Sequence, residues 1–249
     1  MQAEIAYEVD DLPSGTNLKA QQVVLWASPV VALILVGLFV SFPGFFPPMS
    51  PTTPAAQVAT FYQHHTGRIR LGMVGFNLCG ILITPFFVLI MMQMQRMKGQ
   101  SHIFAFSYLT AVVAGGTMFA LANIFFAVAA FRPDRDPAIV QAYNDLAWII
   151  FIAPIGMLVA QFTLLALAIY FDSKQAPVLP RWVAHYSLLT AVVMAPSAAA
   201  AVYRTGPLAW NGFISFWMRN ASFALFVIVM FFVLRSALQQ QARDEARIA

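Results

Sequence analysis

Six stretches of the chain are almost continuously apolar: residues 23–42, 69–92, 103–131, 148–171, 182–203 and 212–234. At about 1.5 Å of rise per residue, some 20 such residues in a helix cross roughly 30 Å of hydrocarbon. Each stretch meets that length, so the pattern predicts six transmembrane helices. Strands of a membrane barrel alternate apolar and polar positions in short segments, and these runs do not alternate, which excludes a β-barrel. The expected fold class is all-α, a polytopic bundle of six transmembrane helices with two short interfacial helices. The expected organisation is a polar tail over 1–22, a transmembrane domain over 23–236 and a second tail over 237–249.

The polar intervals between the runs set the layout. Residues 1–22 are acidic (Glu4, Glu8, Asp10, Asp11) and lack the basic start and small-residue cleavage site of a secretory signal, so the first span is read as retained. Six spans place both tails on one side. That side collects Lys19, Arg96, Lys98, Lys174, Arg181, Arg235, Arg243 and Arg247, against Arg68, Arg70, Arg132, Arg135, Arg204 and Arg219 on the other. The excess of basic residues assigns the tails to the cytoplasm. The charges after residue 234 are expected to solvate a frayed end of the last helix.

The interval 43–67 is the longest. Thr53 is a candidate N-cap and Pro54 a first helical residue, with Ala55, Val58, Ala59 and Tyr62 forming an apolar face for the membrane interface. Before span four, Asp136 can cap and Pro137 can start a helix that runs through Tyr143, Asn144 and Asp145 into the membrane. The two Pro-Ala starts hint at a duplicated hairpin. Pro29, Pro85, Pro154 and Pro196 interrupt four spans and each removes a backbone hydrogen bond. Such kinks serve shape, and in transporters they also open room for ligands. Gly72, Gly75 and Cys79 on span two, and Gly115, Gly116 and Ala120 on span three, predict close helix contacts.

Composition sharpens this picture. Only 24 of 249 residues are charged, too few to clothe a soluble globule, while 60% are apolar, 23 residues are Phe and mean hydropathy is +0.74. The net charge of +4 is scattered, with no run of four basic residues, so a nucleic-acid partner is excluded. The expected partners are the lipid bilayer, a small organic ligand, and a membrane-protein partner or further copies of the chain. The single cysteine, Cys79, can form neither a disulfide nor a CxxC pair and reads as a small buried thiol.

The candidate chemistry lies in polar side chains within the spans, where lipid makes them costly. Arg219 is 16 residues from Arg235, about 24 Å up the helix; Asn77 is 17 residues above Met94, about 25 Å; Asn123 is 21 above His102, about 31 Å. Arg70, Asn144 and Asp145 fall slightly higher, fringed by Tyr143, Tyr203, Arg204, Trp210 and Trp217. An outer-leaflet polar layer follows, with Arg70, Asn77, Asn123, Asp145, Arg219 and Asn220 as candidate ligand-binding residues. A mid-helix arginine costs about 2.5–3.5 kcal/mol to insert, so Arg219 needs a partner or water. Three readings stay open: an ion pair with Asp145 that fixes helix register, an anion site shared with Arg70, or snorkelling to the interface. His64 and His65 are adjacent and point about 100° apart, a poor metal pair; a set with Asp145 is conceivable, but no HExxH or Glu-x-x-His pattern exists, so no metal and no cofactor are expected. His102, His185 and Gln161 read as structural groups, Gln161 bonding a neighbouring helix or lining a path. No Ser/His/Asp set has matched depth, no Gly-rich phosphate loop is present, and no acid lies at the bilayer centre, which disfavours a pump.

Four segments, PTTPAAQVATFYQHHTGRIRLGMV, AAFRPDRDPAIVQAYNDLAWIIFIAP, the PRWV opening span five, and YRTGPLAWNGFISFW, resemble a group of six-helix bacterial integral membrane proteins of unknown function. The likeness runs over most of the chain from span one onward. It implies a bacterial source and the six-span layout, and it supplies no catalytic residue. The leading functional expectation is binding or permeation of a small amphipathic or anionic molecule in the bacterial cytoplasmic membrane. An accessory or assembly subunit with a purely structural polar layer is the alternative, and a membrane enzyme using Asp145 and the histidines the third.

Overall fold

The computed structural model describes residues 14–99, 102–132, 134–175 and 177–248. Eight α-helices carry the chain: α1 (Ser14–Ser41), α2 (Ala55–Gly80), α3 (Thr84–Gln95), α4 (Ile103–Phe131), α5 (Pro137–Ile152), α6 (Gly156–Phe171), α7 (Arg181–Met194) and α8 (Arg219–Ile248). They combine into six long apolar spans, Leu18–Ser41, Ala55–Gln95, Ile103–Phe131, Pro137–Phe171, Arg181–Ala201 and Phe213–Arg247. The protein is an all-α, multi-pass membrane bundle. The described part contains no strand, only an isolated bridge between Phe45 and Pro48.

Several local expectations need correction. The short interfacial helix expected before span two is not a separate element, because α2 runs unbroken from Ala55 to Gly80, while α5 enters its span directly from Pro137, the unbroken run expected there. Asp136 caps α5 as expected, accepting the Ala138 N–H at 2.8 Å. Thr53 does not cap α2, whose N-cap position is Pro54. Val58, Ala59 and Tyr62 face protein and not lipid; all three are buried against α4 and α5 residues. Residues 1–13, with Glu4, Glu8, Asp10 and Asp11, lie outside the described residues, and from Ser14 the chain is already helical. At the other end α8 stays helical to Ile248 and is packed as far as Gln241, so it is not frayed, while Arg235, Arg243, Asp244 and Arg247 are exposed along it.

The apolar residues form two separate cores stacked along the bundle. The core on the side of the chain ends contains Leu25, Phe86, Tyr108, Phe162, Phe226 and Met230. The core on the side away from the chain ends is aromatic: Phe42, Phe45, Phe76, Phe126, Trp148, Phe151, Trp210 and Phe216. Between them five spans carry a proline, a glycine pair or a 3₁₀ turn that weakens an α-helix, and the sixth carries a polar pair. Pro29 lies between Leu25 and Phe42; a 3₁₀ turn, Ile81–Ile83, lies between Phe76 and Phe86 and passes into Pro85. Gly115 and Gly116 lie between Val112 and Ala122, and Pro154 between Ile152 and Ile155. Span five tightens to 3₁₀ over Ala195–Ala201 at Pro196, and span six has Arg219 and Asn220 between Phe216 and Phe226. In the first five spans proline or glycine forfeits helical hydrogen bonding or side-chain packing at this seam, and in span six the polar pair Arg219–Asn220 interrupts the apolar packing.

Small residues behave in two ways. A Cβ on Gly72 would sit 2.7 Å from the Phe42 ring, and one on Gly75 would sit 3.0 Å from Leu38, so α1 lies tightly on α2 as expected. Gly115 and Gly116 have no such neighbour within 4 Å, and the close contact expected there is not made. Cys79 is half-buried.

The interval 43–67 does not stay on the surface. Gly44 adopts φ +81°, a left-handed turn that glycine tolerates without strain, and Phe45 swings inward until it is 2% exposed. Its ring packs on Phe39, Phe42, Phe76, Phe126, Trp148 and Phe151 at centroid distances of 4.4–6.2 Å. The Trp210 indole N–H pins the loop by donating to the Met49 carbonyl at 2.8 Å.

Candidate functional site

Arg219 begins α8 directly after a π-helical turn, Phe213–Met218, and its amide N–H bonds the Ile214 carbonyl five residues back. The segment before it folds onto this turn. Pro207 O accepts from Ile214 N (3.0 Å) and Ser215 N (3.4 Å), and Ser215 Oγ donates to Leu208 O (2.8 Å). Gly212 permits that approach, since a Cβ there would collide with the Pro207 and Gly206 carbonyls. Wide π turns interrupt α-helices frequently at functional positions.

The guanidinium meets a carbonyl that sequence reasoning did not single out. Pro154 breaks span four, and Ile155 N bonds Ala153 O (2.7 Å) instead of Phe151 O, its normal helical partner. Arg219 Nη2 takes up the freed Phe151 carbonyl at 3.0 Å, its Cζ lies 5.2 Å from the centre of the Phe151 ring, and Nη1 donates to Asn220 Oδ1 at 3.1 Å. Spans four and six are thereby tied at the seam. The one local clue to this tie was Pro154, which frees carbonyls just before it.

The expected Asp145–Arg219 ion pair is not formed: among the described residues Arg219 bonds a carbonyl and an amide, and no carboxylate pairs with it. Asp145 belongs to a different group, farther from the chain ends. Tyr62 OH donates to Asn144 Oδ1 (3.0 Å) and Asn144 Nδ2 to Asp145 Oδ1 (3.3 Å). Arg204 is the cation that acts on this carboxylate, while its Nη2 also approaches the Pro51 carbonyl at 3.5 Å.

The six sequence candidates therefore do not converge on one outer-leaflet pocket. Arg70 is exposed, over the Phe131 ring at 5.1 Å. Asn77 is exposed on a groove between α2 and α4 and bonds its own helix at Met73 O. Asn123 is buried within the bundle. Only Arg219 and Asn220 are in contact. Among these six candidates three buried donors have no acceptor: Arg219 Nε, Asn220 Nδ2 and Asn123 Nδ2.

The remaining polar groups are accounted for locally. Gln161 Nε2 reaches the Tyr108 hydroxyl on α4 at 3.4 Å, the cross-helix bond expected. His185 Nδ1 contacts the Arg181 carbonyl, and the His65 ring packs on Phe61 at 4.9 Å. His64 and His65 line a shallow groove formed by one helix, and no group of three metal-binding side chains occurs among the described residues. No family model, curated protein or solved structure matches the chain.

Proposed function

We propose that this multi-pass protein, with its termini in the cytoplasm of a bacterium and its body in the inner membrane, binds or passes a small anionic or amphipathic organic molecule at the seam. The observation that carries the reading is the Arg219–Asn220 pair, a half-buried cation with no carboxylate against it among the described residues and with a buried, unused donor on each residue. An unpaired buried charge is costly, and unmet donors inside a protein are rare, so a ligand oxygen completes the arrangement. Broken helices near the middle of spans are also where membrane transporters place ligands.

Native mass spectrometry of the protein in mild detergent tests this reading. Wild type should retain an organic anion, Arg219→Gln should lose it, and Asp145→Asn should keep it. Absence of any adduct from wild type, or its persistence in Arg219→Gln, overturns the proposal. The second reading, an accessory subunit, is favoured by the aromatic outer core, in which Phe45 fills the centre of the outer half. Stoichiometric co-purification of another membrane protein together with an empty Arg219 would select it.

A further inference from the structure

On the side of the chain ends, two loops are knotted around one buried acid. Asp172, 1% exposed, accepts Lys98 N (3.1 Å) and Lys174 N (3.2 Å) on Oδ1 and Val178 N (3.0 Å) on Oδ2. Ser173 N donates to Lys98 O at 2.9 Å. Gly99, at φ +87°, lets the loops close, because a Cβ there would lie 2.6 Å from Ser173 Oγ. Arg181 caps the end of α6, donating to the Ile169, Tyr170 and Asp172 carbonyls. Backbone groups thus occupy both oxygens of Asp172, while two lysines leave adjacent points of the knot without an ion pair among the described residues.

Lys174 is partly buried, and burial first, then the charges of Arg96 and Lys98, pushes its ammonium below the usual lysine range despite Asp172 and Asp244. Such a cation held among cations is relieved by an external anion. The surface adjoining the knot is apolar: Phe171, Ile103 and Phe106 are more than half exposed, and Phe171 stacks on Phe104 at 5.7 Å. Charge at the loops with bare apolar surface on the adjoining helices α4 and α6 matches one ligand shape, a phosphate headgroup with acyl chains.

We infer that the Lys98–Lys174 knot, with the exposed face of α4 and α6 beside it, is a binding site for an anionic phospholipid of the leaflet on the side of the chain ends. The phosphate lies between the two ammonium groups and the acyl chains lie along Phe171 and Ile103. Tail residues Asp244 and Glu245 on α8 act electrostatically on neighbouring Arg96 and bound the site on that side.

The test is lipid binding to the purified full-length protein in zwitterionic-lipid nanodiscs doped with phosphatidylglycerol, read by native mass spectrometry and thermal protection. Wild type should bind phosphatidylglycerol in preference to phosphatidylcholine. Lys98→Gln/Lys174→Gln should weaken that binding by about 30-fold, at roughly one basic contact each. Arg243→Gln/Arg247→Gln, on the exposed tail, controls for net charge and should leave binding unchanged. Free inorganic phosphate should not protect. The inference is overturned if wild type shows no anionic preference, if the lysine pair retains it, if the tail pair weakens it equally, or if free phosphate protects as well as lipid. Because Arg219 is untouched, loss of the seam ligand and loss of this lipid are separable.

Discussion

Replacing Phe45 by alanine tests whether a loop residue holds the outer half of the bundle together. The side chain is 2% exposed and meets six aromatic rings, the nearest being Phe42 at 4.4 Å and Trp148 at 4.9 Å. Truncating a buried Phe costs about 3–5 kcal/mol through lost transfer energy and the residual cavity. Part of that loss is geometric, since aromatic pairs contribute about 0.5–1.5 kcal/mol beyond area. The neighbour Phe46 is an internal control: it is 53% exposed and has one ring partner, Trp217 at 5.1 Å. Phe46→Ala should cost under about 1 kcal/mol. At roughly 2–4 °C per kcal/mol for a chain of this size, Phe45→Ala should lower Tm by about 10 °C and Phe46→Ala by a few degrees. Thermal unfolding in one detergent, followed by tryptophan fluorescence and circular dichroism, reads both, since Trp148 and Trp210 border the hub. Equal shifts for the two alanines would refute the inward placement of Phe45.

Other substitutions examine the remaining contacts. Gly72→Ala should destabilise by about 1–3 kcal/mol because its Cβ would meet the buried Phe42 ring, whereas Gly116→Ala, with open space, should be neutral or slightly stabilising in the same unfolding assay. Asp172→Ala strands three backbone N–H groups and should cost at least about 3 kcal/mol, with Asp172→Asn intermediate. A double-mutant cycle of Asp145→Asn and Arg219→Gln should give a coupling below about 0.5 kcal/mol in stability; a coupling above 1 would restore the ion pair between them.

The number and order of the spans were legible in the sequence because hydrocarbon thickness alone sets how many consecutive apolar residues a helix needs, but three of them run longer than their apolar cores, over Ala55–Gln95, Pro137–Phe171 and Phe213–Arg247. Pro85, Pro154 and Pro196 marked three breaks correctly, since a missing N–H acts wherever the residue falls, and Asp136–Pro137 marked a helix start because a cap is a local hydrogen bond. Other features depend on groups distant in the chain. PGFFPPMSP marks only the start of the longest interval between spans, and the ring-lined space between α1, α2, α4 and α5 alone turned Phe45 inward. The small residues of spans two and three look alike in sequence, yet Gly72 and Gly75 meet α1 while Gly115 and Gly116 meet nothing. Depth counting could place Arg219 and Asp145 at similar heights, but it could not say which way each helix turns. The structure directs Asp145 to Asn144 and Arg204, and Arg219 to a carbonyl freed in span four. The number of spans and the points where proline breaks a helix are properties of short segments, and the sequence by itself decided them. The partner of a buried charge depends on the rotation and contact of whole helices, and the tertiary structure alone decided that.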